Sequence, residues 1–134
     1  MRRVDVFFYG LFMDETILRS KGADPHDPER AAVDGFSLRI GNRAALVRTA
    51  GGRVHGLLFS VAARDLERIY SEPSLQAYEP EAVLARLEDG TMVPALCYNL
   101  PLPPAPHERN ADYAEELRVV ARNVGLPEEY VASL

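Results

Sequence analysis

The chain has 134 residues, 47% of them apolar and 26% charged, a balance that points to one ordinary globular domain over 1–134 and excludes a disordered chain. A net charge of −5 argues against a nucleic-acid partner, because phosphate backbones are bound through clustered Lys and Arg. One cysteine, Cys97, excludes an internal disulfide, and the scattered His26, His55 and His107 show no metal-ligand spacing.

The start, "MRRVDVFFYG", has basic residues, but Asp5 interrupts its apolar run and no small-residue cleavage site follows. No stretch approaches the roughly 20 apolar residues of a membrane span, so no membrane partner is expected and the expected location is cytoplasmic. "VDVFFY" (4–9) is short, apolar and β-prone, as a strand buried on both faces would be. Asp14 can cap a helix "ETILRSKG" that stops at Gly22. "ADPHDPERA" carries two prolines and reads as loop. "VDGFSLRIG" and "RAALVRT" read as short strands, with Gly51-Gly52 as a hairpin turn into "RVHGLLFSV".

"AARDLERIY" fits a helix with Leu66, Ile69 and Tyr70 on one face, ended by Pro73. "EAVLARL" and "MVPALCY" read as strands joined at Asp89-Gly90, and Pro94 suggests an edge or a bulge. Pro101, Pro103, Pro104 and Pro106 make an extended connector. Beyond it, "ADYAEELRVVARNVG" sets Tyr113, Leu117, Val120, Ala121 and Val124 on one stripe of an amphipathic helix, and Pro127 opens a last short turn. The expected architecture is α+β: a mainly antiparallel, strongly curved sheet with helices packed around it.

No phosphate-cradling glycine loop, nucleophile elbow or zinc-binding helix signature occurs. Cys97 falls in an apolar strand, where a free thiol is inert, and His55 reads as structural. What remains is the opening turn and the carboxylates. A turn from a strand toward a helix exposes backbone N–H groups, and glycine lets a ligand approach them.

The order of segments resembles the gamma-glutamylcyclotransferase-like (AIG2-like) superfamily: a strand entering "YGLFM", then "VHGLLFSV", then "LERIYSEPSLQAY", "DGTMVPALCY" and the tail "DYAEELRVVARNVGLPEEYVASL". The resemblance covers almost the whole chain. It implies a small barrel-like sheet with the active site at one mouth, and release of 5-oxoproline from gamma-glutamyl compounds by attack of the glutamyl α-amine on its own γ-amide carbonyl. It implies no cofactor and a small-molecule gamma-glutamyl partner. The family's substrate loop maps onto Tyr9, Gly10, Leu11 and Phe12, and its catalytic glutamate, six residues before a tyrosine, onto Glu72 and Tyr78.

The chemistry suits those positions. A carboxylate can take the proton of an α-amine, whose ordinary pKa is about 7.7–8.0, and later hand it to the leaving amine. Backbone donors can hold the oxyanion that forms. Asp14, Glu15, Glu79 and Glu81 compete for the base role, although Asp14 reads as a helix cap. Tyr9, Tyr78 and Tyr98 fit either the pocket lining or the core. Leu11 and Phe12 stand where serine or threonine is common in the family, and "EPE" follows Tyr78 where a basic residue is common. These departures make the pocket mouth greasier and bear on which gamma-glutamyl compound fits. The alternatives are a protein of the same fold that binds a small acyl or amino-acid ligand without turnover, and a structural interaction module.

Overall fold

Apolar residues occupy successive positions of the first strand, β1 (Arg3–Phe8), because both of its faces are covered in the computed structural model, which describes residues 2–134. Val6 and Phe8 turn outward under the helices, and Phe7 turns into the barrel. The chain continues through α1 (Glu15–Ser20), β2 (His26–Ile40), β3 (Ala44–Ala62), α2 (Ala63–Ile69), β4 (Glu79–Leu87), β5 (Met92–Asn99), α3 (Ala111–Asn123) and α4 (Glu128–Ser133). The strands close in the order β1-β3-β2-β4-β5. Every pairing is antiparallel except that of β1 with β5, which closes the barrel at Val6–Leu96. The fold is therefore the expected mainly antiparallel barrel with peripheral helices.

Alternation divides the core into two compartments. Inside the barrel lie Phe7, Val33, Val54, Leu58, Ala85 and Cys97. Between the barrel wall and the helices lie Phe8, Met13, Leu18, Phe59, Leu66 and Leu117. Asp14 caps α1 by accepting from the Thr16 N–H at 2.9 Å, and Gly22, at φ +91°, follows its end. Asn110 caps α3 by accepting from the Tyr113 N–H, and Leu117 and Ala121 of the expected stripe are buried.

Two local expectations are corrected. The β2–β3 hairpin turns at residues 41–43, where the Gly41 N–H donates to the Arg43 carbonyl, and not at Gly51-Gly52. Gly51-Gly52 lies inside β3 as a bulge: residues 49–52 stand opposite the single Gly35 of β2. Gly51 has φ +75°, and a Cβ on Gly52 would lie 2.4 Å from the Phe36 carbonyl oxygen. A bulge bends and twists both arms, as closure of a five-stranded barrel requires. The glycine pair that reads locally as a turn is a bend.

The segment read as loop, 23–31, is largely the start of β2, paired along β3 from Ser60 to Gly56. Its Pro28 sits in the register shift between His26 and Glu29, where a missing N–H interrupts no ladder bond. Pro94, expected at an edge or a bulge, is in no bulge, and on its side away from β4 it lies outside the single β1 pair. It stays in register with Leu84, and the β1 pairing of β5 falls two residues away at Leu96.

Gly56 shows how tightly the barrel is wound. A Cβ there would lie 2.2 Å from the Phe8 carbonyl oxygen and 2.9 Å from the Phe7 ring. Backbone cannot yield as a side chain can, so Gly56→Ala forces β1 away from β3. We expect a loss of about 3 kcal/mol, at the upper end of overpacking costs, read by denaturant titration. Stability unchanged to within about 0.5 kcal/mol would refute this account of the close approach.

Candidate active site

At the end of β1 the chain leaves the sheet through Tyr9 and Gly10 into a single 3₁₀ turn, Leu11–Met13. The Met13 N–H donates to the Gly10 carbonyl and the Asp14 N–H to the Leu11 carbonyl, both at 3.0 Å. The first amides of such a turn, at Leu11 and Phe12, have no partner within it. This turn forms one wall of a cavity of about 180 Å³.

A second wall comes from the segment after α2. Pro73 cannot continue a helix, and the chain instead descends through a string of turns. Glu72 N–H donates to the Ile69 carbonyl, Leu75 N–H to Glu72 and Tyr78 N–H to Leu75. The turns deliver Tyr70, Glu72 and Tyr78 to one cavity at spacings that neither a helix nor a strand would give. The remaining walls are Arg43 and Ala44 at the β2–β3 turn, Tyr98 on β5, Tyr113 on α3 and Lys21 at the end of α1.

The cavity is built largely of phenols. Tyr70 and Tyr98 stack with centroids 3.9 Å apart and planes 4° from parallel, and Phe12 meets Tyr70 edge-on at 6.0 Å. The Tyr9 hydroxyl donates to the Tyr98 carbonyl at 2.9 Å, and the Tyr78 hydroxyl donates to the Ala44 carbonyl. Burial pushes the phenols of Tyr9, Tyr70, Tyr78, Tyr98 and Tyr113 upward, so at neutral pH all five are uncharged. None of them can serve as a base there.

Glu72 is the one carboxylate among the described residues that line the cavity. Lys21 Nζ donates to both of its oxygens at 3.1 Å, and both side chains are about one third exposed. The ion pair therefore stands at the mouth and not in the core.

Gly10 lies beneath the hydroxyl of Tyr113. A Cβ on Gly10 would meet that oxygen at 2.8 Å, although the backbone itself, at φ −113° and ψ −152°, is extended and open to any residue. Burial raises the Tyr113 phenol, and the Leu11 amide, the Arg43 charge and the Ala44 amide oppose that rise. The Tyr113 phenol and Arg43 thus share the wall beside the turn. Where the sequence suggested room for a ligand over Gly10, the nearest group is the protein's own phenol.

A family model described as gamma-glutamyl cyclotransferase, AIG2-like, matches residues 6–116. The chain belongs to that family. Among solved structures, one described as a gamma-glutamyl cyclotransferase superposes with a TM-score of 0.80 at 18% identity, covering 98% of this chain and 86% of the other. An uncharacterized protein from Homo sapiens gives 0.78 at 20% identity, over 99% and 86%. A cyclotransferase from yeast described as specific to glutathione gives 0.69 at 11%, over 99% and 94%. A comparison with curated proteins finds no match. At these identities the structures establish the fold.

In this cyclotransferase-like fold, Tyr9, Gly10, Leu11, Phe12, Glu72, Tyr78 and Tyr98 all line the one cavity. Of the competing carboxylates, Asp14 is engaged as a cap, Glu15 pairs with Arg19, and Glu81 accepts from Asn99. Glu15 lines a larger groove of about 660 Å³ between α3 and the ends of β2 and β4, which contains none of the tyrosines. Cys97 is fully buried inside the barrel, and burial raises its thiol. Among the described residues no cluster of metal-ligating side chains occurs, and no helix is long and apolar enough to cross a membrane.

Sequence reasoning missed Tyr70, Tyr113, Lys21 and Arg43. Tyr70 and Tyr113 do carry a signal, since both fall on the inward stripes of their helices. Periodicity says that they point inward, not that they meet. Arg43 reads in the sequence only as the first residue of the strand "RAALVRT", with the hairpin turn placed at Gly51-Gly52.

Proposed function

We propose that the protein is a cofactor-independent gamma-glutamyl cyclotransferase that releases 5-oxoproline from a gamma-glutamyl amine or peptide. The observation that carries this reading is that Glu72 and the Gly10–Phe12 turn line the same cavity, which supports a carboxylate base and backbone donors acting on one small ligand. Intramolecular attack of an amine on an amide requires only proton transfer and stabilisation of charge.

The ion pair at the mouth suits the zwitterionic head of a gamma-glutamyl compound. Lys21 pairs with the α-carboxylate, which releases Glu72 to accept a proton from the α-ammonium. The neutral amine then attacks the γ-carbon, closing a five-membered ring and moving the carbonyl electrons onto oxygen. The amides of Leu11 and Phe12 and the Tyr113 hydroxyl hold that oxyanion; one such donor is worth about 3 kcal/mol. As the tetrahedral carbon collapses, Glu72 returns its proton to the departing nitrogen, the original C–N bond breaks, the ring nitrogen gives its second proton to the freed Glu72 carboxylate and on to solvent, and 5-oxoproline and a free amine leave. Leu11, Phe12 and the stacked Tyr70–Tyr98 pair offer the departing portion an apolar slot.

A panel of gamma-glutamyl amino acids, amines and glutathione, assayed for 5-oxoproline release, tests this. Turnover of at least one class is expected. Binding without release across the whole panel would favour the non-catalytic binding protein instead.

A further inference from the structure

The cavity's charged groups do not balance. Lys21 and Glu72 satisfy one another, but the Arg43 side chain has no ion-pair or hydrogen-bond partner among the described residues. Seven other arginines, Arg19, Arg30, Arg53, Arg68, Arg86, Arg118 and Arg122, pair with carboxylates, but none of them lines this cavity. Arg43 is partly buried at the β2–β3 turn, and its charge acts on both Tyr78 and Tyr113. It therefore belongs to the wall next to Gly10, whereas the ion pair belongs to the wall formed by α1 and the turns after α2.

We propose that Arg43 is a second anion seat that reads a carboxylate on the departing amine, so that the site selects gamma-glutamyl amino acids and peptides over neutral gamma-glutamyl amines. This rests on the cyclotransferase reading. A gamma-glutamyl amino acid has a zwitterionic head and a negative tail. The head matches a paired Lys and Glu, and the tail matches an unpaired guanidinium, which is shaped for bidentate contact with a carboxylate. The single unbalanced positive charge of the lining complements the single net negative charge of such a ligand.

The test compares γ-glutamylalanine with γ-glutamylalaninamide, which differ only in a terminal carboxylate against a neutral amide. In the wild-type protein the acid is expected to be favoured in kcat/KM by roughly 10-fold to 100-fold, the range of a charge-assisted hydrogen bond. Arg43→Gln brings the ratio toward one, and Arg43→Lys keeps part of it. Added salt shrinks the wild-type ratio, because the seat is only partly buried. Equal wild-type efficiency on both compounds, or an undiminished ratio in Arg43→Gln, overturns the anion seat and leaves the cyclotransferase reading standing. Calorimetric binding of the same pair separates the reverse case: preferential binding of the acid without 5-oxoproline release supports Arg43 and overturns turnover. Binding of neither compound overturns both.

Discussion

Glu72→Gln is expected to leave the protein folded and to lower 5-oxoproline release by about 10²–10⁴-fold, the usual contribution of a positioned acid–base group. The substitution keeps the size and shape of the side chain and an oxygen that still accepts from Lys21. It removes only the capacity to carry a proton. The ion pair it replaces is about one third exposed, and pairs this wet contribute about 0–1 kcal/mol, so the melting temperature should barely move. No other group in the cavity can take over. The five phenols are neutral at pH 7, and the other carboxylates weighed for the role are engaged elsewhere or lie outside the cavity. Near-full release by a folded Glu72→Gln protein would sink the assignment of the base.

Gly10→Val is expected to weaken ligand binding by more than 10-fold while costing only about 1–3 kcal/mol of stability, the range for overpacking. The backbone at Gly10 is extended, so valine adds no torsional strain; the cost comes from the side chain. Its Cβ would displace the Tyr113 hydroxyl, which lies 2.8 Å away, and its methyl groups would cover the Leu11 and Phe12 amides. The two effects separate in a double variant. Tyr113→Phe removes the colliding oxygen and should restore part of the lost stability to Gly10→Val. It should not restore affinity, because the methyl groups still stand over the donors. Thermal melts and calorimetry with 5-oxoproline on the same proteins read both quantities. A large fall in melting temperature with unchanged affinity would make "YGLFMD" a structural turn and nothing more.

The two long strands explain why parts of the fold were hard to read. A bulge and a hairpin turn use the same residues, since both need a backbone that departs from the pleat. Gly51-Gly52 satisfies either, and what decides is whether the flanking residues find partners: Arg53 meets Asp34 and Arg48 meets Phe36 along one continuous β2. The start of β2 was obscured for a related reason. Pro25 and Pro28 lower local strand propensity, yet the length of β3 offers these residues a ladder that no local pattern announces. Asp89-Gly90, by contrast, makes the hairpin it suggests, because the strands on either side are short and equal in reach.

The sequence by itself determined the continuous apolar run that makes β1 a strand covered on both faces, the cap at Asp14, the amphipathic stripe of α3, and the motif order that marks the family. Each of these depends on residues within one or two turns of one another, where spacing alone sets which side chains share a face. Only the tertiary structure decided that Tyr70 from the end of α2 stacks on Tyr98 from β5, that Tyr113 from α3 covers Gly10, and that Lys21 reaches Glu72 across 51 residues. Closing the barrel at Val6–Leu96 sets β1 beside β5, so that the turn after β1 and Tyr98 of β5 meet at one mouth. Closure is a property of all five strands together, so no local stretch of sequence encodes it.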